Sequence, residues 1–387
     1  VDFVDYCFLW VSTALDAVAA VAVLLVLERR SRRRGRNPSI RLNHLFTAAA
    51  AAVGVFLLKL PVHAVRGLGV SGPVYLGLLF LAITLPALGV AALMTGGWRR
   101  MGGRRRAISP PATVLAILFL AAVPVAAWAS FVEPFRLQIE TAAVPVLPPR
   151  TADPIRAGVL ADLQTSRVTA YERRAVDELL ALHPDLILMP GDLFQGTDAE
   201  FERELPALRQ LHARLEAPFG VYAVAGNVDF PYRLHAVFAG TAVRLLVNEI
   251  VEVEVRGCRL AIGGIEWEFS HPAARATIAR LSGDRIQADV RVLLTHAPDP
   301  VLDLPPTSRI DLLVAGHTHG GQVRIPGIGP VFTGSRVPQA MAAGGLTRTD
   351  GPLVYVSRGV GCERGRAPRL RLFCPPEISL LTFVPKR

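Results

Sequence analysis

Eight side chains able to hold a metal or carry a proton fall at five places in the second half of the chain, each just after a short apolar run. Asp162 and Gln164 follow Ile155–Ala161, and Gly191-Asp192 follows Leu186–Met189. Gly226-Asn227-Val228-Asp229 follows Val221–Ala225, and His296 follows Val290–Leu294. Gly316-His317-Thr318-His319-Gly320-Gly321 follows Leu312–Ala315. The set comprises three carboxylates, two amides and three imidazoles. Carboxylate, imidazole and amide oxygen together describe a site for two divalent metals bridged by one carboxylate. The glycines let the backbone turn tightly beside Asp192, Asn227, His317 and His319.

The elements that would gather these residues are strands. In open α/β sheets the carboxyl ends of the strands line one shared crevice, and all five places are such ends. Further strands are expected around Arg244–Val255, Arg259–Gly264, Leu353–Ser357 and Ile378–Phe383. Helices are expected at Tyr171–Leu182 and Ala199–Leu215, the first with Ala175, Val176, Leu179 and Leu180 on one face. Residues 153–387 therefore read as one α/β or mixed α+β domain with a sizeable core.

The order of these motifs resembles the calcineurin-like metallophosphoesterase superfamily, whose pattern runs Asp-x-His, Gly-Asp, Gly-Asn-His-Asp/Glu, His and Gly-His-x-His. Gly316-His317-Thr318-His319-Gly320-Gly321-Gln322 looks like its membrane-associated bacterial branch, as does the tail from Val356-Ser357-Arg358-Gly359 to Pro375-Pro376-Glu377-Ile378. The resemblance implies a sandwich of two mixed sheets flanked by helices, hydrolysing a phosphate ester or pyrophosphate. It also implies one metal held by Asp162, Asp192 and His319, with position 164 as a further ligand. A second metal would be held by Asp192, Asn227, His296 and His317, with Asp192 bridging. Asp192, Asn227 and His317 would carry the catalysis.

Two positions depart from that pattern. Gln164 stands where the family has histidine. An amide oxygen is a harder, weaker donor than imidazole, so Mn²⁺ is favoured, with Mg²⁺, Fe or Zn²⁺ as alternatives. Val228 stands where the family usually has a histidine that helps protonate the leaving group, and valine cannot. Losing a general acid typically costs about 10²–10⁴-fold, so substrates with good leaving groups are expected. His183, His235 and His271 are the histidines that could substitute. The alternative reading is a catalytically weakened domain that binds a phosphorylated ligand or a partner.

The first half is of another kind. The 387 residues are 51% hydrophobic and only 19% charged, which argues against one ordinary soluble domain. Residues 1–149 hold 15 Lys/Arg against 6 Asp/Glu, whereas the remainder is nearly balanced. The basic excess flanks apolar stretches instead of covering a folded face, which points to a bilayer and not to nucleic acid. Four stretches approach the length needed to cross a membrane: Val4–Leu27, His44–Val65, Val70–Met94 and Pro111–Val132.

Arginines 29 to 41 follow the first stretch and 99 to 106 the third, while Gly67–Pro73 is uncharged. Short Arg-rich loops stay in the cytoplasm, so the expectation is a multi-pass membrane protein with its C-terminal domain extracytoplasmic. Asp2 and Asp5, at the start of the first stretch, argue for a retained span over a cleaved signal. Asp16, Lys59 and His63 within the spans suggest an ion pair or, in a transport reading, a polar path. The expected domains are a four-span transmembrane domain over 1–134, a Pro-rich linker over 135–152 and a metallophosphoesterase domain over 153–387. The substrate would be phosphorylated, with a lipid head group as one candidate. Cys362 and Cys374 could pair in an oxidising compartment or remain free buried thiols.

Overall fold

The computed structural model describes residues 3–33, 40–65, 77, 79–101, 108–149, 153–305, 307–363 and 369–386, of which 3–11, 32, 58–65 and 99–100 are described for backbone alone. The chain divides into two compact units, Val1–Phe131 and, from Val132 on, Val132–Glu363 with Arg369–Arg387.

The first unit is helical: α1 Phe3–Arg33, α2 Leu42–Val65, α3 Leu85–Met101 and α4 Pro110–Ala127. Single π-turns precede α3 (Phe80–Thr84) and follow α4 (Trp128–Val132). The helices meet through small residues, Ala20, Ala48, Ala92, Ala112 and Ala116, interleaved with Leu24, Leu45 and Leu88. At Gly89 a Cβ would lie 2.6 Å from the Ala116 carbonyl, so the α3–α4 approach depends on that glycine.

Two stretches among the described residues are long and apolar enough to cross a bilayer, Phe80–Trp98 and Pro110–Phe135, with a shorter apolar helix at Leu42–Leu57. Four such spans were expected. Asp16 is buried in this unit. The side chains of Lys59 and His63, the uncharged 67–73 loop and the arginines of 34–39 and 102–107 lie outside what is described.

The second unit is a sandwich of two six-stranded mixed sheets. One runs β1 (Gln138–Leu147), β14 (Glu377–Pro385), β2 (Ile155–Val159), β3 (Leu186–Met189), β4 (Val221–Ala223) and β5 (Val243–Leu245). The other runs β12 (Gly345–Thr347), β13 (Leu353–Val356), β9 (Leu312–Ala315), β8 (Val290–Leu294), β7 (Cys258–Gly264) and β6 (Glu249–Val255), while β10 (Arg324–Ile325) and β11 (Gly329–Pro330) form a small hairpin of their own. A strand sends alternate side chains to opposite faces, and the sequence uses both. Leu186 and Leu188, Val290, Val292 and Leu294, and Leu312 and Val314 fill the space between the sheets. Ile187 and Met189 face the helical layer of α5 (Ala170–Ala181), α6 (Asp198–His212) and α7 (Pro231–Phe238). Leu293, Leu313 and Ala315 face α8 (Pro272–Ser282) and α9 (Gln339–Ala342). Strands covered on both faces read as unbroken apolar runs.

Two expectations need correction. Residues 138–147 are not a free linker. They form β1, the edge strand, paired in parallel with β14 from Gln138 opposite Glu377 onward. Proline disfavours a helix interior but is tolerated on a sheet edge, where its missing N–H is not needed. Arg244–Val255 is also not one strand. Asn248, in the left-handed region at φ 53°, separates β5 in one sheet from β6 in the other.

Candidate metal centre

The five strand ends do meet, and the backbone there is unusual. Asp162, Gln164, Asp192, His317 and His319 all have positive φ, between 36° and 68°. Such conformations cost up to about 1–3 kcal/mol each. Five together rival the net stability of a whole domain, about 5–15 kcal/mol, so the surroundings must hold them. The loops are stitched to one another. Asp162 N–H donates to Gly191 O at 3.0 Å, Gln164 N–H to Asp192 O at 2.8 Å, and Gly316 N–H to His296 O at 2.9 Å.

Asp229 ties the second and third loops together by accepting from the backbone N–H groups of Asp192 (2.8 Å), Leu193 (2.9 Å) and Gly226 (2.9 Å). Two glycines are required by close approach. A Cβ on Gly226 would lie 2.0 Å from Asp192 Oδ1, and one on Gly316 would lie 2.3 Å from Asp162 Oδ2.

The side chains converge in two groups that share Asp192. In the first, Asn227 Oδ1 lies 2.9 Å from both His296 Nε2 and His317 Nδ1. His296 Nε2 and His317 Nδ1 are 3.1 Å apart, and Asp192 Oδ2 is 3.4 Å from His296 Nε2. In the second, Asp162 Oδ1 lies 4.0 Å from His319 Nε2, and ligand atoms of Asp192, His319 and Glu363 fall within 4.8 Å of one another. Asp162, Asp192 and His296 form an equally tight set.

The donor chemistry fits divalent ions. His296 Nδ1 lies 2.7 Å from the Pro190 carbonyl and can only donate to it, so that in the neutral ring Nε2 is the lone-pair atom aimed at the cluster. Gln164 Oε1 and His319 Nε2 are buried without a hydrogen-bond partner, an arrangement that costs free energy unless something occupies it. Asp162 and Asp192 are buried side by side, and two carboxylates in such a place call for positive charge.

His317 and His319 are already in the ligating state, whereas His296 would give up a proton to an ion. Burial, with the neighbouring His296 charge, pushes His317 down to about 4. Burial, with the Arg371 guanidinium nearby, holds His319 well below its usual value. Both are therefore neutral imidazoles able to ligate. Burial raises the Asp162 carboxyl to about 7. Burial also presses on the His296 imidazolium, but the Asp192 charge and hydrogen bond outweigh it and lift that group to about 9.

All seven residues expected at the site, Asp162, Gln164, Asp192, Asn227, His296, His317 and His319, are brought together. The histidines considered as substitutes for position 228 are not drawn in. His271 caps α8 and pairs with Glu266 at 3.0 Å, His183 sits in the turn after α5, and His235 lies in the last turn of α7. Val228 contributes its backbone instead, donating its N–H to Asp192 Oδ1 at 3.0 Å. Cys362 and Cys374 are buried thiols, not joined to each other, so no Cys362–Cys374 disulfide forms.

Three contributors escaped the sequence reading. Glu363 accepts from Gln164 Nε2 at 2.7 Å. The Trp267 ring packs 5.4 Å from His296 and 4.9 Å from His317. Arg371, fully buried, donates to the carbonyls of Arg358, Gly359, Gly361, Cys374 and His319, and so binds the last loops beneath the site. None belongs to a repeated ligand motif, and Arg371 is matched to its place by five carbonyls that a guanidinium's several donors can serve at once.

Residues 155–321 match the family calcineurin-like phosphoesterase. The chain is 32% identical over 238 residues to YkuE, an uncharacterized metallophosphoesterase of Bacillus subtilis, over 58% of this chain and 73% of that protein. It is 26% identical over 211 residues to the uncharacterized metallophosphoesterase Cj0846 of Campylobacter jejuni, over 53% and 52% of the two chains. It is 28% identical over 250 residues to the phosphodiesterase YaeI of Escherichia coli, over 60% of this chain and 83% of that one. The chain belongs to the calcineurin-like phosphoesterase family and is a hydrolase of phosphate ester bonds of a class that uses divalent metals.

Proposed function

We propose that this chain is a membrane-anchored phosphoesterase that cleaves a phosphodiester or pyrophosphate with a good leaving group, outside the cytoplasmic membrane and at two divalent ions. Asp162, Gln164, Asp192 and His319 would hold one ion, and Asp192, Asn227, His296 and His317 the other. The observation that carries the reading is the convergence of Asp192, Asn227, His296 and His317 around one point, beside the unpartnered Gln164 Oε1 and His319 Nε2. Two such ions supply an acidified water and a clamp on the phosphoryl oxygens.

The chain's own residues do the rest. The Pro190 carbonyl fixes which nitrogen of His296 faces the site, and the Trp267 ring packs against His296 and His317. With valine at 228, no side chain there delivers a proton to the departing oxygen, so the leaving group must depart as a stable anion. Oxygen-rich ligation at the first site favours Mn²⁺ or Mg²⁺ over Zn²⁺.

Membrane anchoring is supported by the two apolar spans and by Val114, Ile117, Leu118 and Val125, which stand exposed on α4. A tethered site meets substrates at the bilayer surface, where a phosphorylated lipid head group is the natural candidate.

The test uses the full chain in detergent, stripped of metal and assayed on bis(nitrophenyl) phosphate with added Mn²⁺, beside Asp192→Asn. Expected is Mn²⁺-dependent turnover that Asp192→Asn lowers by at least 10³-fold, about 4 kcal/mol of transition-state stabilisation. Metal binding without turnover on any phosphoester would instead favour a ligand-binding role, which Gln164 and Val228 give reason to keep in view.

A further inference from the structure

Glu363 sits where the first metal site is short of a ligand. It is half-buried in the loop after β13, and one of its carboxylate oxygens falls within 4.8 Å of ligand atoms of both Asp192 and His319. The partners described for it are amides. Gln164 Nε2 donates to Oε2 at 2.7 Å, Gln195 Nε2 to Oε1 at 3.1 Å, and Gln322 Nε2 to its backbone carbonyl at 3.0 Å. Each of these glutamines keeps a buried Oε1 with no partner.

The chemistry fixes the amide orientation. An amide facing a carboxylate must present its NH₂, because its oxygen would be repelled. Gln164 is 2% exposed, and its oxygen is left as the unpartnered atom at the site. The carboxylate therefore orients the weak ligand while lying close enough to the cluster to bind the ion itself.

We propose that Glu363 is a ligand of the first metal site and supplies the donor strength that Gln164, in the place of an imidazole, lacks. The inference rests on the two-metal reading above. It gives the first site three carboxylates, one amide oxygen and one imidazole, a set of hard donors suited to Mn²⁺ or Mg²⁺. A role limited to holding the Gln164 amide is separable from ligation. Glutamine at 363 can still accept a hydrogen bond from Gln164 Nε2, but it carries no charge for the ion.

The experiment counts ions. The full chain in detergent is stripped by chelator, titrated with MnCl₂ by calorimetry, and its bound manganese is measured by mass spectrometry. Wild type is expected to bind two Mn²⁺ per chain. Glu363→Gln is expected to keep one tight ion, with the other weakened at least tenfold. Adding Gln164→His to Glu363→Gln restores imidazole and should bring back the second ion.

Two ions held by Glu363→Gln at wild-type affinity would overturn the proposal. Failure of Gln164→His to restore the second ion would do so too, because the loss would then reflect damage to the loop. Wild type binding no manganese would overturn the two-metal reading itself, a result distinct from either.

Discussion

At position 228 one side chain separates this site from a complete acid–base apparatus. The backbone N–H of Val228 already serves Asp192, so a histidine there would change the side chain without moving that bond. Val228→His is expected to raise turnover of alkyl phosphodiesters by about 10²-fold, where leaving-group protonation limits the rate. Nitrophenyl esters should change by less than about threefold, because their leaving group needs no proton. Parallel kcat/KM measurements on the two substrates decide it, and an equal effect on both would mean that protonation is not what valine forfeits.

The same residues show what a sequence discloses at this scale. Asp162, Asp192, His317 and His319 were legible because ligand types recur at strand ends, the last three of them beside glycine. Glu363 was not. It belongs to no repeated pattern, and its relation to Gln164 spans 199 positions of chain.

Elements were legible where both faces of a strand are buried, as at Leu186–Met189, Val290–Leu294 and Leu312–Ala315, whose bounds match the structure. They were misread where proline or a single left-handed residue sets the outcome, at β1 and at Asn248. Helix α6 carries a consequence that its amphipathic pattern hides. His212 is fully buried there, its Nδ1 2.7 Å from the Leu208 carbonyl and its ring 5.6 Å from Phe238. Burial lowers its pKa to about 4, against about 6.5 in an unfolded chain.

Between those values the unfolded state takes up a proton that the folded state refuses. The stability from keeping His212 neutral is therefore complete above about pH 6.5 and lost as pH falls toward about 4, on the order of 3 kcal/mol over the window. His212→Phe keeps the ring packing and removes the titration. Thermal unfolding at pH 7.5 and pH 5 should show a smaller fall in Tm for the variant than for wild type. Equal falls would place the acid sensitivity elsewhere.

For the whole molecule the open variable is which side of the membrane the site faces, and charge makes a definite prediction. Nearly all of the net charge of +10 belongs to residues 1–149, in clusters that flank the apolar stretches. Arginines near span ends are retained on the cytoplasmic side. The clusters at 29–41 and 99–106 lie on either side of the segment holding the second and third expected stretches. With both clusters inside, an even number of spans lies between them, and Pro110–Phe135 then carries the chain to the outer side before β1.

A reporter active only outside the cytoplasm, fused after residue 386, should therefore be active, while one active only inside should be silent. Replacing the arginines at 99, 100 and 104–106 with glutamine should lower the first signal and raise the second. The reverse pattern in the unaltered chain would place the metal centre in the cytoplasm, where its substrate would be a soluble or inner-leaflet phosphoester.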